Sequence, residues 1–314
     1  NLQLENELVE SGTHPALAKI YAARKINSAD DVNYDLEKLL APDLLLSNID
    51  VGNFLCEAIL LNRKIVIVGD YDADGATACA CAMIGLKKFG ANVDFIVPNR
   101  FKYGYGLTPE IVDLAFKKNP DIILTVDNGI ASHKGVEAAN KAGLEVIITD
   151  HHLPGNSLPD AKFIVNPNQK KCSFPSKSLC GVGVMFYVLL ALRIAFRNKK
   201  TGYEEPKLID LLDLVALGTV ADLVPLDFNN RILVSAGMKI IRGNKLNSGI
   251  KAIINESRKK NSSLKTSDLS FVIAPKLNAA GRLSDMTTGI RCLLSDNLTQ
   301  ASSFAKELIK FNEN

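Results

Sequence analysis

The chain has 314 residues, a formal net charge of +3, 47% apolar residues and 23% charged ones, a balance ordinary for a globular protein with a sizeable core and room for two domains. So small a net charge gives no argument for nucleic acid by itself. No long uncharged apolar run flanked as a membrane span would be, and no secretory leader, is visible, so the expected location is the cytoplasm, with no membrane partner.

In chain order, helical periodicity over 15–26 and 51–61 makes residues 1–60 an expected N-terminal helical cap. A regular alternation then begins: strand 64–69 (KIVIVG), helix 75–89, strand 93–97, helix 108–118, strand 121–126 (DIILTV), helix 132–142, strand 144–149 (LEVIIT) and a short strand 163–165. Strands separated by helical patterns of this length predict an α/β fold with a parallel β-sheet flanked by helices and right-handed crossovers. Beyond about 175 the pattern is helical, over 181–197, 207–217, 230–241, 249–256 and 299–311. The last segment keeps Glu307 and Lys310 in register without a stop signal and reads as the start of a long connecting helix. The expected division is 1–60 as the cap, 61–230 as the α/β domain and 231–314 as a helical extension.

The six cysteines form no CxxC pair and no zinc spacing, so they read as reduced packing residues. From 181 to 265 there are 14 Lys or Arg against 7 Asp or Glu, which suits a solvated basic face and a phosphate-contacting surface equally.

The chemistry gathers at the strand ends. Strand 64–69 leads into Asp70, Asp72 and Asp74, strand 121–126 into Asp127, and strand 144–149 into Asp150, His151 and His152. Any one of these acids is explained by a turn or a helix N-cap, but a helix has a single N-cap position, so caps do not account for the set. In an open parallel sheet ligands bind outside the carboxyl ends of the strands, which brings the three segments together. The DxDxDG run 70–75 fails as a calcium loop, because its twelfth position is Cys81 rather than Glu; no Walker phosphate loop occurs either. Carboxylates with one or two imidazoles suit Mn²⁺ or Mg²⁺, and two such ions catalyse phosphoryl transfer when one acid bridges them, a position that Asp127 suits. Asp222, where an apolar helix ends, is a further candidate acid, for which a turn or cap residue is the simpler account. Arg100 and Arg282 are candidate phosphate contacts, with small residues around Arg282, while Tyr103 and Tyr105 beside Arg100 are candidates for base stacking in a loop. His14 and His133 read as structural or surface residues.

GDYDADG (69–75), TVDNG (125–129), TDHH (149–152), GVGVMFY (181–187), ALGTVADLVPL (216–226) and APKLNAAGRL (274–283), in this order, resemble the RecJ family of the DHH phosphoesterase superfamily over nearly the whole chain. The resemblance implies a 5′ to 3′ exonuclease specific for single-stranded DNA, serving recombination and repair with two Mn²⁺ or Mg²⁺ ions. It puts Asp72, Asp74, Asp127, His151 and Asp222 at metal-ligand positions, Asp70 and Asp150 at supporting acidic positions, and His152 against the scissile phosphate. Arg100, Asn278 and Arg282 fall on substrate-phosphate positions. Single-stranded DNA is the implied partner, with a helicase and a single-stranded DNA-binding protein further implied by the family. Members continue into a DHHA1 domain and an OB-fold, and neither is among these residues, so the expectation is a catalytic core. Two alternatives stand beside it: a small-substrate DHH phosphatase or phosphodiesterase acting on pyrophosphate, cyclic dinucleotides or short oligonucleotides, and a non-catalytic single-stranded-DNA-binding scaffold.

Overall fold

The computed structural model describes residues 2–24, 26, 28–199, 202, 204–243, 245–283 and 286–313, with the side chains of Arg100 and Leu283 outside that description. Strands β1 (Lys64–Gly69), β2 (Asn92–Ile96), β3 (Ile122–Val126), β4 (Glu145–Thr149) and β5 (Phe163–Val165) form one all-parallel sheet in the order β2-β1-β3-β4-β5. The expected parallel α/β architecture is what the chain adopts.

Helices α1 (Leu2–Glu10), α2 (Pro15–Ala23) and α3 (Asn48–Leu60) precede the sheet. Helices α4 (Ala73–Lys88), α5 (Arg100–Tyr103), α6 (Pro109–Phe116) and α7 (His133–Lys141) alternate with its strands. After β5 come α8 (Gly181–Asn198), α9 (Leu212–Ala221), α10 (Phe228–Arg242), α11 (Ser248–Glu256) and α12 (Thr266–Asp268), then a π-helical turn Leu269–Ile273, α13 (Ala274–Leu283), α14 (Thr287–Leu294) and α15 (Leu298–Glu313).

The apolar runs are continuous because both faces of the sheet are covered. Ile65 and Ile67 of β1 point into the core shared with α4, α8 and α9, whereas Val66 and Val68 point into the core under α6 and α7. All four are essentially inaccessible to water, and burying each such side chain contributes roughly 1.5–3 kcal/mol. A single substitution such as Ile67→Asp would therefore place a charge at the centre of the molecule. Helix α8 is apolar enough over its 18 residues to cross a bilayer, yet 78% of that window is buried within the protein, which makes it a core helix.

The strand register sets the site. Gly69, Val126 and Thr149 are lateral neighbours across β1, β3 and β4, so the residues that follow them, Asp70, Asp127 and Asp150, leave the sheet side by side. This edge lies at the β1/β3 boundary, where the strand order reverses and ligands bind in open α/β sheets.

Three expectations need correction. Asp74 is not a strand-end residue but stands in the first turn of α4, whose N-cap is Asp72. The segment after β2 is not wholly loop, since Arg100–Tyr103 is a short helix, and Tyr103 is partly buried against the α6 and α7 core. The helix expected over 207–217 is a 3-10 turn, Leu208–Leu211, followed by α9, which runs on to Ala221.

Candidate metal centre

Asp72 combines two functions. Its Oδ1 accepts from the Gly75 amide at 2.9 Å, which starts α4, and its carboxylate also stands with Asp70 and Asp127 in a group whose ligand atoms all lie within 4.8 Å of one another. One residue thus caps the helix and stands at ligand spacing from two other acids. Asp74, two residues further, is buried and accepts from the amides of Gly181 at 2.6 Å and Val182 at 3.0 Å. Those are orphan amides at the N-terminus of α8, where a carboxylate is favoured by the helix dipole.

Asp127 takes the left-handed conformation, φ 62°, which Asp tolerates better than most residues. Its turn is held by its neighbours: Asn128 Nδ2 donates to Val68 O and Val126 O, and Thr125 Oγ1 to Asn128 O. The result is a buried carboxylate oxygen, Asp127 Oδ1, with no hydrogen-bond partner among the described residues. His151 Nε2 lies 3.2 Å from it, 3.6 Å from Asp222 Oδ2 and 4.0 Å from Asp74 Oδ2. A second group of ligand spacing comprises Asp74, His151 and Asp222, and a third Asp127, His151 and His152. Asp70, read from sequence as a supporting acid, thus stands among the ligand-spaced side chains.

The electrostatics follow from burying so many acids together. Burial, with Asp72 next, pushes Asp70 up to about 7; burial, with Asp222 and Asp72, pushes Asp74 up to about 8; burial, with Asp72, pushes Asp222 up to about 6. Asp127 rises well above the carboxylate range from burial and the surrounding acids. Burial and the neighbouring His152 bring His151 down to about 4, leaving a neutral imidazole at neutral pH, the form that ligates metals. Carboxylates that resist ionisation, one unsatisfied buried oxygen and a neutral imidazole fit a hard divalent cation.

His152 belongs to a different network. Its Nδ1 lies 2.7 Å from Asp150 Oδ1, and that bond, against the opposing effect of burial, lifts the imidazole to about 9. Burial presses the Asp150 carboxyl upward, but the His152 contact and the amides of Ile130, His151 and His152 hold it below its usual value. Tyr105 Oη lies 3.2 Å from His152 Nε2, and the two rings meet edge on. Beside them a cavity of about 740 Å³ is lined by residues that include Tyr105, Thr108, Ile130, His133, His152 and Leu153.

The remaining candidates spread around this centre. Asn278 turns its Oδ1 onto the Ala73 amide at 2.7 Å, so its acceptor is committed to the start of α4. Arg282 is exposed on the last turn of α13. Arg100 opens α5, and its side chain lies outside the described residues. His14 caps α2 through Nδ1.

Some site-building residues gave no chemical signal in sequence. Asn166 and Asn168 donate to the carbonyls of His152 and His151 and fix the histidine pair from behind. Gly181, Gly218 and Gly281 permit close approach: a Cβ at Gly181 would lie 2.4 Å from Asp127 Oδ1, one at Gly218 2.7 Å from Asp74 Oδ1, and one at Gly281 2.0 Å from Tyr71 O. Of these three only Gly218 lies inside an apolar helical run, where a glycine weakens the helix unless packing requires it.

The profile described as "DHH family, N-terminal domain" matches residues 64–219. The single-stranded-DNA-specific exonuclease RecJ of Salmonella typhimurium is 49% identical over 305 residues, covering 95% of this chain and 53% of that protein; the chain spans about half the length of this and two further curated relatives that it matches. A crystal structure of exonuclease RecJ bound to manganese superposes with a TM-score of 0.77 at 34% identity, over 87% of this chain and 67% of that one. RecJ from Thermus thermophilus in complex with Mn²⁺ superposes with a TM-score of 0.82 at 31% identity, over 100% of this chain and 44% of that one.

Proposed function

The chain belongs to the RecJ branch of the DHH family, and from that membership together with the acid cluster we propose that it is the catalytic core of a metal-dependent nuclease that removes nucleotides from the 5′ end of single-stranded DNA. The observation that carries the reading is Asp127 Oδ1, buried without a hydrogen bond where the β1, β3 and β4 acids converge. Asp127 would be shared by two Mn²⁺ or Mg²⁺ ions, one also held by Asp70 and Asp72, the other by Asp74, His151 and Asp222. Bound there, the ions would supply Lewis acidity and a water acidified toward neutral pH.

The chain's own groups do the rest. Asp74 is oriented by two helix amides, and His151 is kept neutral by burial, so neither has to reorganise to receive a cation. His152, charged and oriented by Asp150, offers a cationic donor to a phosphoryl oxygen on which negative charge grows. Arg100 and Arg282 supply phosphate contacts, and Tyr105, 49% exposed, closes the site beside His152. Asn278 acts one step back, by fixing the first turn of α4. Six free, buried cysteines suit a reducing compartment such as the cytoplasm, where a helicase and a single-stranded DNA-binding protein are the fitting partners.

The test is digestion of a 5′-phosphorylated, 3′-labelled single-stranded oligonucleotide with Mn²⁺, beside a duplex, an EDTA control and Asp127→Ala. Loss from the 5′ end of the single strand alone, abolished by EDTA and by the substitution, is the expected result. Hydrolysis of dinucleotides or pyrophosphate in preference to the long strand would replace this reading with a small-substrate phosphatase, and binding of the strand without turnover would replace it with a scaffold.

A further inference from the structure

Leu223 stands one residue beyond Asp222, the cap of α9, and holds φ at 58°. That is the position after a helix C-cap where Gly or Asn is favoured, because a side chain at positive φ crowds the following carbonyl. A leucine offsets the crowding when its side chain is buried against the helix it ends, but Leu223 is 74% exposed. Its neighbour Asp222 reaches to 3.6 Å from His151 Nε2, so this exposed aliphatic group is anchored beside the acid cluster. The adjoining element repeats the pattern. Ser270 Oγ donates to Val220 O at 2.8 Å, tying the π-helical turn Leu269–Ile273 to the end of α9, and the next residue, Phe271, is 77% exposed. Single π-helical turns concentrate at functional sites, and this one leads directly into the helix that carries Asn278 and Arg282.

Exposed apolar side chains are common singly. Here one is strained and adjoins Asp222 in the chain, and another stands on a turn bonded to the same helix end. Neither is suited to phosphate; both are suited to the flat face of a base, a contact that tolerates any sequence because every base has such a face. Resting on the single-strand nuclease reading, we infer that Leu223, with Phe271, seats a nucleobase of the bound strand next to the metal centre, and so makes the site prefer a nucleic-acid strand to a bare phosphate ester.

Leu223→Gly tests this, because glycine suits the backbone at that position and removes only the side chain. Binding by fluorescence anisotropy and Mn²⁺-dependent hydrolysis would be measured on a 5′-phosphorylated oligonucleotide and on the same strand made abasic at its 5′-terminal nucleotides. The wild-type chain should favour the intact strand by roughly five- to tenfold in KM and Kd, the low end for one base contact. In Leu223→Gly that preference should shrink toward one, with Tm equal or higher, and Phe271→Ala should shrink it in part. A preference for the intact strand unchanged in Leu223→Gly, or a loss equal on both strands, overturns the inference alone. Failure of the wild-type chain to bind or cleave either strand overturns the single-strand reading, and the inference with it.

Discussion

Asp127→Asn separates stability from function more sharply than any other substitution at the centre. The ligand atoms of Asp70, Asp72 and Asp127 lie within 4.8 Å of one another, and two ionised carboxylates that far apart repel by about 3 kcal/mol at an effective dielectric of about 20. Protonation limits how much of that repulsion is realised, since Asp70 and Asp74 are held up to about 7 and about 8. Asparagine removes a carboxyl whose ionisation burial and the surrounding acids oppose, and it forfeits no hydrogen bond at Oδ1, which has none. The metal-free variant should therefore be more stable than the wild-type chain by roughly 2–3 kcal/mol at pH 8, a rise in Tm of several degrees. Saturating Mn²⁺ should reverse the order, because a ligand at about a hundred times its Kd adds about 2.7 kcal/mol per site to the chain that binds it, and the variant loses a shared ligand. Hydrolysis should fall by on the order of 10³-fold, as when one electrostatic partner of a transition state is removed. Thermal unfolding of both chains in EDTA and in Mn²⁺, with the oligonucleotide assay alongside, gives all three quantities. Equal or lower stability of the variant in EDTA, together with equal Mn²⁺ stabilisation of both chains, would refute the assignment of Asp127 to a cation-holding centre.

Three further outcomes follow from the same geometry. Because Asp222, Asp70 and Asp74 are raised to about 6, 7 and 8, the folded metal-free chain holds protons that the unfolded chain has released, so their contribution to stability is full near pH 4 and is lost as pH rises through 6 to 8; Mn²⁺ competes with those protons, and the Tm gap between Mn²⁺ and EDTA should widen over that interval, whereas a flat gap would dissociate these acids from the ion. Gly181→Ala sets a methyl 2.4 Å from Asp127 Oδ1 and should cost about 1–3 kcal/mol by overpacking, with a loss of kcat larger than the loss of folded protein explains; a Tm and kcat within error of the wild-type values would show that the site relaxes around it. Asn278→Ala removes the acceptor at the first turn of α4 and should lower stability by about 1 kcal/mol with the affinity of the folded protein for the strand unchanged, while a weaker Kd for the strand in the folded variant would return Asn278 to a phosphate-contacting role.

The sheet was readable because each central strand is buried on both faces, which leaves a short unbroken apolar run with acids at its end. Helices with one solvated face are likewise legible to within a few residues. The extent of helix α9 is not, because it is buried all round and so carries no periodicity to mark its ends, and α1 escapes notice because it buries only Leu4 and Leu8, one turn apart. The candidate ligands were legible as chemistry: acids and imidazoles at three strand ends have no collective structural account. What holds those ligands was not. Backbone amides of Gly181 and Val182, the Asn166 and Asn168 side chains and the missing Cβ atoms of three glycines act through distance alone, and nothing in the composition of a segment announces which amide will meet which carboxylate a hundred residues away.

The bond from the Gly181 amide to Asp74 runs from the ion-binding face into the longest described helix of the core. Amide protons that donate to a carboxylate shift when its charge is neutralised by a proton or shared with a cation. The Gly181 and Val182 resonances are thus a pair of native reporters, readable without any label at the surface, and their exchange with solvent times how often the inner face of the centre opens.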